Sequence, residues 1–71
     1  MVTLKHIQKN LALAIRQSGF TQTELAQQLG VSQQTISHYI KGDKLPALDT
    51  FANLCAIIDV NPQDILTEKT F

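Results

Sequence analysis

TQTELAQQLGVSQQTISHYIKG, residues 21–42, is the stretch on which the reading of this chain turns. Thr21 is suited to cap a helix, and Glu24, three residues later, can return a bond to the cap, the reciprocal arrangement of a capping box. Phe20 before the cap and Leu25 inside the helix can close a hydrophobic staple around it. Leu25, Ala26 and Leu29 then face inward as far as Gly30, a residue that adopts a left-handed turn without steric cost. Val31 and Ser32 repeat the scheme: Ser32 caps, Val31 staples to Ile36, and the spacing predicts a helix from about Gln33 to Lys41 that stops at Gly42. Small Ala26 admits a close neighbour, Gly30 turns the chain, and Ile36 reaches back to fill the angle. The expectation is a pair of short helices locked into a corner.

The flanks read as helices too, because apolar residues recur at three- and four-residue steps and nowhere alternate as in a strand. A first helix is predicted from about Thr3 to Ser18, with Leu4, Ile7, Leu11 and Ile15 on one face and Gly19 as the stop. After a loop at Asp43, Lys44 and Pro46, a fourth is expected from Leu48 to Ile58, burying Leu48, Phe51, Leu54, Cys55 and Ile58. Asn61 caps a fifth, Pro62 takes its first position, and Val60 can staple to Ile65. Residues 67–71 read as a frayed tail. The expected fold is all-α, five helices in one domain spanning 1–71.

With 71 residues the chain has room for one small domain. No run approaches ~18 apolar residues, so no membrane span is predicted, and the first ten residues lack the apolar centre of a signal peptide. Cys55 is the lone cysteine, which excludes an internal disulfide and fits a reducing cytoplasm. The net charge is zero, but it is divided. Through residue 44, Lys5, Lys9, Arg16, Lys41 and Lys44 face Glu24 and Asp43, a net +3. From residue 45 onward Lys69 faces Asp49, Asp59, Asp64 and Glu68, a net −3. Charge alone leaves open whether this is a working polarity or scattered solvated groups. His6, His38 and Cys55 have no metal-ligand spacing, Asp59 and Asp64 make a poor acid–base pair, and no nucleophile stands beside a base. Neither an enzyme, a metal site nor a cofactor is expected.

Residues 7–66 resemble the helix-turn-helix domain of lambda-type phage repressors and Cro proteins, the XRE family. The resemblance rests on FTQTELAQQLGVSQQTISHYIKG, then LPALDTFANLCAI and VNPQDIL. It implies a lambda-repressor-like fold with its helix-turn-helix at 22–41, and a cytoplasmic transcription regulator, of repressor type, that binds double-stranded operator DNA. It further implies a homodimer on a pseudo-palindrome whose half-sites lie about one helical turn, ~34 Å, apart. The same fold also serves in antitoxins, where another surface holds a partner protein, and that is the alternative reading. Three positions depart from the family pattern. Ile15 and Ile40 stand where many relatives place an arginine and an acid in a partly buried pair; replacing both avoids stranding one charge. Asp59 stands where relatives often have Gly. Ala47 lacks the usual capping side chain.

The resemblance also assigns the contacts. Gln33 and Gln34 open the reading helix, and a glutamine amide donates and accepts at once, matching adenine N6 and N7. Ser37 and His38 follow one turn later, and Thr35 offers a methyl to a thymine. Protonation of His38 beside DNA would add charge and strengthen binding at low pH. Gln22 meets a phosphate at the positive end of its helix, with Thr21 and Thr23 assisting and with Lys41, Lys44 and the Gly42 backbone on the other flank. Ile65, Leu66 and Phe71 are candidates for the dimer contact.

Overall fold

The computed structural model describes residues 1–69. Its helices are α1 (Leu4–Gln17), α2 (Gln22–Leu29), α3 (Gln33–Lys41), α4 (Leu48–Ile57) and α5 (Pro62–Ile65). Four of the five starts are held by a side-chain cap, at Thr21, Ser32 and Asn61 by the residue expected to hold it and at Thr3 by one not singled out. The hydroxyls of Thr3, Thr21 and Ser32 accept from the N–H three residues on, and the Asn61 carbonyl accepts from Gln63 N–H. The capping box at α2 is complete, with Glu24 Oε1 accepting from Thr21 N–H at 2.9 Å. That bond draws the Glu24 carboxyl below its ordinary range, so its contribution to α2 is present at neutral pH and lost as pH falls through the lowered value. The α4 start is bare: Ala47 makes no side-chain cap bond.

The helix ends reverse the chain by one device. After α2, Gly30 takes φ +76° and Val31 N–H closes onto the Ala26 carbonyl at 3.0 Å. No atom lies within 4 Å of where a Cβ would stand on Gly30, so it is the backbone angle alone that asks for glycine there. After α4 the same six-residue closure runs from Val60 N–H to the Cys55 carbonyl at 2.9 Å. Here the left-handed residue is Asp59, at φ +57°, which an L-residue tolerates at a cost of roughly 1–2 kcal/mol. Asp59→Gly removes that strain and returns part of it to unfolded-chain entropy, so a net gain of about 0.5–1 kcal/mol is expected. Urea denaturation of the two proteins reads the difference, and an unchanged midpoint would show the angle to be unstrained.

The core gathers Leu11, Ala14 and Ile15 from α1, Leu25 and Ala26 from α2, Ile36 and Tyr39 from α3, Phe51, Leu54 and Cys55 from α4, with Ile58 and Ile65 closing it. Leu11, Leu25, Ile36, Leu54 and Ile65 have no exposed surface. Phe20, Leu29, Val31, Ile40 and Val60 pack against this centre from its edge, among them all three residues expected to staple helix starts. Ile40 thus leans on the grouping that holds Ile15, and beside it Arg16 Nη2 donates to the Ile40 carbonyl at 3.3 Å. Burial pushes the Cys55 thiol up from its ordinary range.

Two apolar expectations fail. Leu4 is 62% exposed and Leu48 is 85% exposed. Each is the first residue of its helix, where the apolar rhythm continues but no neighbouring element reaches far enough to cover it. A third correction concerns the chain end. Buried Asn10 donates from Nδ2 to the carbonyls of Ile65 at 3.1 Å, Thr67 at 3.2 Å and Lys69 at 2.9 Å. Residues 67–69, read as frayed, are therefore fastened to α1, and the Met1 ammonium pairs with Glu68 nearby. The remainder of that tail, including Phe71, lies outside the described residues. Ile65 is wholly buried, which removes it from any surface contact and leaves Leu66, half exposed, as the apolar side chain there.

Candidate nucleic-acid interface

α3 is built so that its start faces outward without carrying any of the fold. Ser32 Oγ accepts from Thr35 N–H at 3.1 Å and lies 2.9 Å from Thr35 Oγ1. Ile36 and Tyr39 point into the core on the opposite side. Gln33 and Gln34 are left exposed on the first turn, and neither amide is engaged by another described residue. Thr35 and Ser37 are half-buried, and the Thr35 hydroxyl belongs to the cap.

His38 has a partner that the sequence reading missed. Its Nδ1 lies 3.1 Å and 3.3 Å from the two Asp43 oxygens. A carboxylate only accepts, so Nδ1 donates to Asp43, and in the neutral tautomer that this bond selects Nε2 is the acceptor. The five-residue spacing is invisible to helix periodicity. It closes because the chain reverses at Gly42, where φ is +78°.

At the start of α2, Thr21, Gln22 and Thr23 are all exposed. The Thr21 hydroxyl accepts from Glu24 N–H at 3.1 Å and keeps its own proton for another acceptor. The N–H groups of Gln22 and Thr23 have no intrahelical acceptor, as in any first turn, so the positive helix end is open there. The Glu24 carboxylate occupies the Thr21 side of it. On the far flank Lys41 and Lys44 are exposed. The Gly42 N–H is not available: it donates to the carbonyls of His38 at 3.1 Å and Tyr39 at 3.2 Å. Of the expected contacts, then, Gln33, Gln34, Gln22, Thr23, Lys41 and Lys44 stand outward, Thr21, Thr35 and His38 are partly committed to local structure, Ser37 is half-buried, and Gly42 is engaged.

A supported outward helix start, capped and cornered against a second short helix, is the build of a helix-turn-helix protein. Comparison with known proteins agrees. The helix-turn-helix family matches residues 11–65, and the chain belongs to that family, in its XRE branch. Among solved structures, the SOS-response transcriptional repressor LexA from Eubacterium rectale is similar at 29% identity and a TM-score of 0.80, over 96% of this chain and 72% of that one. The restriction-modification controller protein C.AhdI from Aeromonas hydrophila shares the fold at 19% identity and a TM-score of 0.70, over 87% of this chain and 94% of its own. A hypothetical transcription factor, NHTF, from Neisseria shares it at 23% identity and a TM-score of 0.70, over 93% and 79% of the two chains. No curated protein sequence matches the chain. The fold and family are those of DNA-binding regulators.

Proposed function

We propose that this protein is a sequence-specific transcription regulator of repressor type, acting in the cytoplasm as a homodimer on pseudo-palindromic DNA. In this reading α3 lies in the major groove and residues 1–71 work as one DNA-binding domain. The observation that carries it is the pair of unengaged amides on Gln33 and Gln34. They stand at the start of a helix whose cap and core contacts are supplied by other residues, so folding has no use for them. Each can bond adenine N6 and N7 together. His38, with Nδ1 held by Asp43, offers an acceptor from Nε2 to a cytosine or adenine amino group, and Ser37 and the Thr35 methyl fall on the same side. Gln22, Thr21, Thr23, Lys41 and Lys44 would grip phosphates on either flank, which fixes register without reading sequence. Gly42 would act by turning the chain rather than by donating. The protein acts by binding, with no chemistry of its own, no metal and no cofactor.

Selection from a random duplex library tests the reading directly, and a convergent inverted-repeat motif is expected. On the selected site Gln34→Ala should cost about 1–3 kcal/mol while leaving affinity for unrelated duplex nearly unchanged. Equal losses on both would remove Gln34 from base reading. A library that yields no motif, together with a stoichiometric partner protein in pull-down, would transfer the function to the antitoxin-like alternative.

A further inference from the structure

α1 carries no acidic residue, and its cations are gathered on one side. Lys5, Lys9 and Arg16, with Lys41 from the last turn of α3, border a depression of 410 Å³ floored by Leu13 and Ile40. All four cations are exposed. Among the described residues the ion pairs are those of Met1 with Glu68 and His38 with Asp43, so none of the four is neutralised by a carboxylate. Lys5 moreover sits in the first turn of α1, where the helix dipole disfavours a cation and where the chain places no acid to offset it. A local rule broken without structural return points to a surface kept for binding.

From this arrangement we propose that the α1–α3 groove is a second phosphate-binding track, which carries the DNA backbone beyond the segment read by α3. The inference rests on the DNA-binding reading above and extends its footprint. Lys41 belongs to both surfaces and joins them. From Lys5 to Arg16 the helix rises about 16 Å, and one strand of duplex presents a phosphate about every 3.4 Å of its axis. The stripe is therefore long enough to meet more than one phosphate of a single strand. The rival occupant is an acidic protein surface, for which the net −3 segment from residue 45 of a second copy has the right sign.

The test compares wild type with Lys5→Gln/Lys9→Gln on a fluorescein-labelled mixed-sequence duplex of about 30 base pairs, titrated across salt. Both side chains are exposed, so the variant should melt with wild type, and Lys69→Gln serves as the neutral control. Per bound subunit the variant is expected to lose roughly 1.8 units of log affinity per log salt, and nearly tenfold in affinity per lysine at about 0.1 M salt. On a duplex trimmed to the α3 segment the two proteins should bind alike. If wild type binds DNA and the variant matches it in slope and affinity, the track is refuted while the DNA reading stands. If the variant instead turns a dimer into a monomer with its DNA slope unchanged, the groove holds a second copy and the proposal falls. Failure of wild type to bind any duplex would remove the DNA-binding reading and the track with it.

Discussion

Ile36→Ala will cost about 2–5 kcal/mol of folding stability, the range for emptying a buried aliphatic site that cannot collapse. Ile36 has no exposed surface and stands where α3 meets the core, beside Leu25, Ala26 and Tyr39 in one grouping. A chain of this length has on the order of 4–10 kcal/mol in all, so the loss takes about a fifth of it or more. Urea denaturation gives the number, with Ile36→Val as the conservative comparison at about 0.5–1.5 kcal/mol. The functional consequence is as important. Ile36 holds the corner that turns Gln33 and Gln34 outward, so DNA affinity should fall even at temperatures where the variant remains folded. A loss below about 1 kcal/mol would mean the corner is held elsewhere.

DNA affinity will collapse with salt. If each subunit makes about four or five phosphate contacts, log affinity falls by about 0.9 per contact per decade of salt. Between about 50 and 200 mM that amounts to two to three orders of magnitude per subunit, and it compounds for two subunits bound together. The zero net charge makes this a sharp test. Such steepness must come from the local concentration of cations in residues 5–44, since the whole molecule offers no attraction. Fluorescence anisotropy on the selected duplex at several salt concentrations gives the slope. A nearly flat line would show that the lysines are solvated ornaments of the surface and would remove the phosphate contacts assigned to Lys41 and Lys44.

Most of the fold was legible because its signals are local. Thr21 with Glu24, Ser32, Gly30 and the Asn61–Pro62 start each act within a few residues, and all of them stand where the spacing puts them. The left-handed turn at Asp59 and the uncapped start at Ala47 were legible as departures from the family pattern. What periodicity misjudged was Leu4 and Leu48, since a rhythm along one helix does not say how far the next helix extends over it. What it missed altogether were contacts made through chain reversal or across the whole sequence. His38 finds Asp43 only once Gly42 has turned the backbone, and Asn10 finds its acceptors 55 to 59 residues away. In the site, the exposure of Gln33 and Gln34 followed from the cap and staple around them. The engagement of the Gly42 N–H followed from how α3 ends, which a glycine's presence does not specify.

The Asn10 clasp bears on cooperativity. α5 is a single turn of four residues, too short to persist alone, yet a side chain from the opposite end of the sequence gathers the carbonyl of its last residue and two beyond it. Opening the chain end therefore means breaking a buried bond cluster in α1 at the same moment, rather than peeling away a loose strand. Amide protons near residues 65–69 should accordingly exchange with solvent through near-global opening, on the same slow schedule as those of α1.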